Sequence, residues 1–381
     1  MRSVTTKLQR ALRAVLLLTA MTAAQQGWAV GTASGTAVNN RATVQYDVSG
    51  VTQEIIESSP GGNSTPGAGA GADTSFVVDN MVNLTVVELD SAPTSVNPGQ
   101  GDAVTAFSVT NTGNAPQDYA LAAVNLTSAD PAVHGNLDTD LQVANVRVFV
   151  DANGNDAYDP GTDLATFIDS LAPDTTLTVF VVSDVPIAAL DGGVANVRLS
   201  ATTHDAGSGA GSPTVETAGA DTASVDVVFA DAGRDGAEED ADGYFVSSAQ
   251  LSIDKGSTVL SDPFNAGVDP KAIPGAVVEY DITMTNTGSV AADAVLVTDT
   301  LNADLTLALG QYDGGNADVS IEIGAGPAST LYCTADASDL DGDGCGMAGA
   351  TLQVGALPMA LTVGTGAATN PVRVLFRATI N

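Results

Sequence analysis

Val104-Thr-Ala-Phe-Ser-Val-Thr-Asn-Thr-Gly113, preceded by Pro98-Gly99, and Val277-Val-Glu-Tyr-Asp-Ile-Thr-Met-Thr-Asn-Thr-Gly288, preceded by Pro274-Gly275, decide the fold. Apolar and polar side chains alternate along both, the period of a strand with one buried face. Pro-Gly turns the chain into each run, and Asn-Thr-Gly turns it out again. Pro98 stands thirteen residues before Asn111 and Pro274 twelve before Asn286, so two homologous units are expected.

Similar short runs fill the rest of the chain: Asn145-Val-Arg-Val-Phe-Val150, Thr176-Leu-Thr-Val-Phe-Val-Val182, Ala195-Asn-Val-Arg-Leu-Ser200 and Val225-Asp-Val-Val-Phe229. Asn, Asp, Gly and Pro clusters separate them and supply turns. Such spacing predicts an all-β protein of tandem immunoglobulin-like antiparallel β-sandwich domains. Ala201 to Ala223 carries too much Gly, Ser and Thr for a helix.

The N-terminus has the layout of a cleaved signal peptide over 1–29. Arg2, Lys7, Arg10 and Arg13 precede the apolar run Ala14 to Ala24, and Gly27-Trp28-Ala29 supplies the cleavage site. About eleven apolar residues fall short of the roughly twenty that span a bilayer. The expected mature chain therefore has no transmembrane segment, and no Cys follows the cleavage site to carry a lipid. Its localisation is expected to be exported: cell surface, extracellular or periplasmic.

Without the leader, eight Lys/Arg face forty-five Asp/Glu, a net charge of −37. That field disfavours nucleic acid and anionic membranes as partners. It also repels itself, which bound cations would relieve. Cys333 and Cys345, in an exported chain, predict one disulfide.

Composition breaks set the expected boundaries. Residues 30–83 form an N-terminal β-strand module containing a flexible Gly/Pro/Ser-rich loop, Ser58 to Asp73. Residues 84–230 make a β-sandwich with an Asp/Asn-rich loop, 231–243 an acidic linker, and 244–381 a second immunoglobulin-like domain.

The second unit resembles the conserved-repeat domain known as domain of unknown function eleven, found in bacterial surface and secreted proteins. Pro270-Lys-Ala-Ile-Pro-Gly-Ala-Val-Val-Glu-Tyr280, Thr285-Asn-Thr-Gly288 and Val297-Thr-Asp-Thr-Leu301 carry the resemblance over about 244–381, with a weaker echo from Val96 to Asn114. Secreted members of similar layout also resemble this chain at Gly35 to Tyr46 and Ser75 to Asp79. The resemblance implies an immunoglobulin-like repeat of the envelope, surface or extracellular space, and transfers no active site. No wall-sorting tail accompanies it here.

Calcium is the one sharp chemical expectation. In Asp151-Ala-Asn-Gly-Asn-Asp-Ala-Tyr-Asp-Pro-Gly-Thr-Asp163, side-chain oxygens would come from Asp151, Asn153, Asn155 and Asp159, a carbonyl from Ala157, and a closing carboxylate from Asp163. Asp156 stands where a helix-loop-helix calcium site requires Gly, and the last acid comes one residue late, so the loop is not that motif. The other reading is an Asx-rich hairpin capping its own backbone. Asp339, Asp341 and Asp343, inside the proposed disulfide loop, are a second calcium candidate without a distal acid.

No enzyme is expected. His134 and His204 read as exposed loop residues, and no nucleophile elbow, phosphate loop or paired-His zinc motif occurs. The chain beyond the leader lacks Trp, against carbohydrate hydrolysis on aromatic platforms. The expected function is a non-catalytic structural or adhesive envelope protein with an unknown surface or extracellular protein or carbohydrate partner. The rivals are a carbohydrate- or protein-binding accessory module and, more remotely, a hydrolase.

Overall fold

The computed structural model describes residues 31–207, 211–326, 329–336, 341–356 and 358–381. The expected signal peptide and Asp339 lie outside the described residues. The chain is all-β, two sandwiches in tandem behind an N-terminal ribbon. No helix among the described residues is long and apolar enough to cross a membrane.

Three nested antiparallel pairs make the ribbon: Ala37–Asn40 with Thr74–Val77, Thr43–Val44 with Ile56–Glu57, and Asp47–Val48 with Val51–Thr52. Ser49 and Gly50 close it, both at positive φ, as a two-residue hairpin turn of the twisted ribbon requires. It contributes to neither hydrophobic core. The loop expected to be flexible is instead drawn onto one carboxylate: Glu57 Oε2 accepts the N–H groups of Gly69 and Gly71 at 3.0 and 3.1 Å.

The first sandwich packs a four-stranded sheet on a five-stranded one. The former is ordered Ala144–Val150, Thr175–Asp184, Ala103–Asn111, Leu84–Glu88; the latter Phe167–Leu171, Gln117–Asn125, Val194–His204, Ala237–Val246, Thr94–Val96. Along Ala103–Asn111 burial alternates at every residue, with Phe107 and Val109 fully enclosed. Enclosing a side chain such as Phe107 contributes roughly 1.5–3 kcal/mol. Most pairings are antiparallel, but Thr94–Val96 runs parallel to the end of Ala237–Val246, and Asn80–Val82 parallel to Val227–Phe229.

The acidic linker expected over 231–243 is not a linker. Ala237–Val246 pairs along Val194–His204 from Thr202↔Ala237 to Val194↔Phe245. Tyr244 is fully buried and its hydroxyl donates to the carbonyls of Ala103 and Val181 on the opposite sheet. Asp231, buried, caps the preceding turn by accepting the N–H groups of Asp235 and Gly236. The first sandwich thus extends through Val246, and the crossing into the second is the short stretch 247–250.

In the second sandwich a six-stranded sheet carries Leu251–Ser261, Val277–Asn286, Val372–Ile380, Val319–Ile323 and Ser329–Cys333 in order, with Leu305–Leu307 also on Val372–Ile380. Val297–Thr300, Thr351–Val354 and Cys345–Ala348 form a facing sheet, beside the pair Ala292–Val295 and Leu361–Val363. Ile282, Ile321, Val354, Val363 and Phe376 meet between them.

Both Asn-Thr-Gly motifs build the same joint. Asn111 Nδ2 donates to the carbonyls of Ala115 and Leu171, while Asn286 Nδ2 donates to those of Val290 and Val363. Each Oδ1 accepts the N–H of the glycine two residues on, Gly113 or Gly288. A Cβ on Gly113 would stand 2.4 Å from the Met81 carbonyl oxygen, and one on Gly288 2.1 Å from that of Ser248. Only glycine lets the incoming segment pass so close.

Replacing Asn286 by Ala strands two carbonyls and the N–H groups of Gly288 and Gln250 in the second sandwich, and should lower its stability by roughly 2–3 kcal/mol. Calorimetry should show that transition moving down while the first sandwich's stays; Asn111→Ala should do the reverse.

Candidate functional site

The Asp/Asn-rich loop starts where Ala144–Val150 ends, and both of its ends are tied to the four-stranded sheet. Val150 N–H donates to the Ala165 carbonyl and Asp151 N–H to the Thr178 carbonyl. Tyr158 stacks on Phe149 at 5.2 Å between ring centroids and tilts against Phe180 at 6.0 Å. That places the loop on the outer face of the sheet, where Thr178 donates its hydroxyl to Asp156.

Within the loop the carboxylates organise the backbone. Asp151, buried, accepts the N–H groups of Asn153, Gly154 and Asp156. Those bonds hold its pKa below the ordinary carboxylate range although burial pushes it up. Asp163, fully buried, accepts from Ala152 and Asp159. Asp159 Oδ2 collects both side-chain amides, Asn153 Nδ2 at 2.9 Å and Asn155 Nδ2 at 2.8 Å. The amide oxygens of Asn153 and Asn155 turn back to the N–H groups of Asn155 and Ala157. Asn153, Asn155 and Ala157 are exposed and Asp159 half-buried.

All six predicted positions therefore lie in one tight loop, and its self-capping is what the Asx-hairpin reading describes. Self-capping and cation binding are compatible, since a carboxylate oxygen has lone pairs for both an N–H and an ion. The described three-residue acidic, His or Cys groupings that close to within 4.8 Å lie elsewhere.

Asp341 and Asp343 are gathered on Thr334. Thr334 donates its hydroxyl to Asp341 Oδ2 at 2.7 Å and its N–H to Asp343 Oδ2 at 2.6 Å. The hydroxyl bond keeps the Asp341 pKa low. Cys333 and Cys345 are joined as a disulfide, both buried, and tie the six-stranded sheet to the three-stranded one. Their sulfurs sit beside Asp343, but a disulfide offers no thiolate to a metal.

Neither histidine is the exposed loop residue expected. His204 ends a central strand, is 7% exposed, and meets the Phe167 ring edge-on. His134 crowns a two-residue turn in which Val133 and Asn136 exchange backbone bonds, and its side chain is 12% exposed. Its Nε2 lies 2.9 Å from Oδ1 of the fully buried Asp242 and 3.9 Å from Oε2 of Glu88. Burial first, and then the facing Asp90 carboxyl, push the Asp242 pKa up to about 7, against its bonds to Gly243 and His134. Sequence reading missed this group because its members are 46 and 108 residues from His134, and no local spacing signals them.

No family model and no curated protein matches the sequence. Similar solved structures include the chaperone–tip adhesin complex of CFA/I fimbriae, at 10% identity over 91% of this chain and 85% of that one, TM-score 0.20. Another is the CsuC–CsuE chaperone–tip adhesion subunit complex of Acinetobacter baumannii Csu pili, at 8% identity over 80% and 93%, TM-score 0.20. A protein of Corynebacterium diphtheriae described as a putative membrane anchored protein is similar at 10% identity over 91% and 89%, TM-score 0.18. Likeness this slight reaches neither the topology nor the role of the chain.

Asp163→Ala should cost roughly 1–3 kcal/mol by stranding two N–H groups, whereas exposed Asn155→Ala should stay within about 0.5 kcal/mol; urea denaturation without added metal checks both. Reducing the disulfide should weaken the second sandwich by roughly 3 kcal/mol, from the entropy of reopening its loop.

Proposed function

We propose that this chain is a non-catalytic structural or adhesive protein, exported to the envelope or cell surface and stiffened by calcium in its Asp/Asn-rich loops. The observation that carries the reading is the 151–163 loop, pinned to the outer face of a sheet by Tyr158 and dense in oxygen donors. Hard cations take six to eight oxygens, and this loop supplies carboxylates, amides and the exposed Ala157 backbone within one turn of chain. Asp341 and Asp343 form a smaller second set beside the disulfide.

Charge supports it. Among the described residues, seven of the eight basic side chains beyond the leader form ion pairs, engaging eleven carboxylates of a chain with forty-five acids. The chain's own cations leave most of that field standing, and divalent ions lower it. The disulfide fits an oxidising compartment outside the cytosol. Resemblance of the second unit to conserved repeats of surface proteins points the same way.

Calorimetry in chelator, in calcium and in sodium chloride of equal ionic strength tests this. Calcium at 100 times its Kd should stabilise the first sandwich by about 2.7 kcal/mol, beyond the sodium control, and Asp159→Ala should abolish the gain. Superimposable melts in calcium and sodium would sink it.

A further inference from the structure

The geometry points to a second, chemically distinct cation site in the first sandwich: Glu88, His134 and Asp242 form a nitrogen-and-oxygen site for a transition-metal ion of the zinc class. The three come from different parts of the fold. Glu88 ends the edge strand Leu84–Glu88 of the four-stranded sheet, Asp242 lies inside Ala237–Val246 of the five-stranded sheet, and His134 reaches over from the crossover turn. One donor atom from each lies within 4.8 Å of the other two. Donors on a tetrahedral ion at roughly 2.0–2.2 Å stand about 3.4 Å apart. The observed separations of 2.9 and 3.9 Å from Nε2 bracket that spacing.

The independent sign of a ligand is unpaired buried oxygen. Asp242 is fully buried and its Oδ2 has no hydrogen-bond partner; the same holds for the buried atom Oε2 of Glu88. Leaving such groups without a partner costs several kcal/mol in general, and a native fold rarely does so. A proton shared between Asp90 and Asp242 would quiet one of them, yet leaves Glu88 Oε2 facing the imidazole without a donor. A divalent ion satisfies Glu88 and Asp242 together. It would take Nε2 in place of the present hydrogen bond to Asp242, with the ring proton carried on Nδ1.

Donor chemistry selects the metal. Calcium takes oxygen ligands only, whereas imidazole with carboxylates suits zinc and its neighbours. A cavity of about 390 Å³, lined by His134, Glu88, Arg198 and Glu239 among others, adjoins the group and leaves room for water on the ion. With ligands from both sheets, the ion would clamp the corner at which they meet.

Titration of the purified, chelator-treated chain with zinc chloride and, separately, calcium chloride decides the matter. The expected result is one zinc equivalent, weakened at least tenfold in His134→Gln and in Glu88→Gln, with the calcium isotherm unchanged in both; Asp159→Ala should alter calcium alone. Circular dichroism establishes that each variant is folded. Should a variant unfold, cobalt(II) absorption of the unaltered chain replaces it: a saturating visible band at one equivalent, displaced by zinc, supports the site. Diffuse, multi-site zinc uptake by surface carboxylates only, or full zinc affinity in folded His134→Gln, would overturn it.

Discussion

The amide of a buried asparagine at the end of a central strand fastens each sandwich. Asn111 and Asn286 each reach across to a carbonyl at the end of a strand beyond their own sheet, Leu171 or Val363, and simultaneously fix the turn that follows. An amide has two donors and an acceptor, so one side chain can hold both the turn and the opposite layer. Backbone bonds within a sheet cannot do this, because they run only along its own plane. The glycine two residues on completes the joint by letting the entering chain, at Met81 or Ser248, lie against the turn. Where each unit begins is thereby defined: at the segment that lies on its own Asn-Thr-Gly turn.

That definition explains which parts of the fold are legible in the sequence. Alternation identifies the long strands, and the repeated Pro-Gly and Asn-Thr-Gly signals identify two units, because both features are local in sequence. The expected boundary is misplaced because acid-rich composition resembles a solvated linker. In Ala237–Val246, Glu239 faces solvent and Arg198 while Asp242 is enclosed, so the same residue type serves opposite faces. Tyr244, just past the densest acids, is the residue that could signal a core strand. Its burial, however, depends on Ala103 and Val181 far along the chain.

The candidate sites divide in the same way. Every oxygen of the 151–163 loop lies within thirteen consecutive residues, so its composition and spacing are plain in the sequence. How the loop is held is not: Tyr158 lies between Phe149 and Phe180, a contact across strands. His134 gives no local signal at all. Next to Gly135 in a tight turn it resembles any polar loop residue, and only the pairing of two sheets brings Glu88 and Asp242 to it.

Placed side by side, the two units close their layers by different chemistry. In the second, the Cys333–Cys345 disulfide joins a strand of the six-stranded sheet to one of the facing sheet. In the first, which has no cysteine, the corresponding task of binding layer to layer falls on Tyr244 and on the Glu88–His134–Asp242 corner. A covalent staple is indifferent to the ionic surroundings, whereas the corner is held by contacts among carboxylates and one imidazole. The two sandwiches therefore hold layer to layer by different bonds, although they share the asparagine joint.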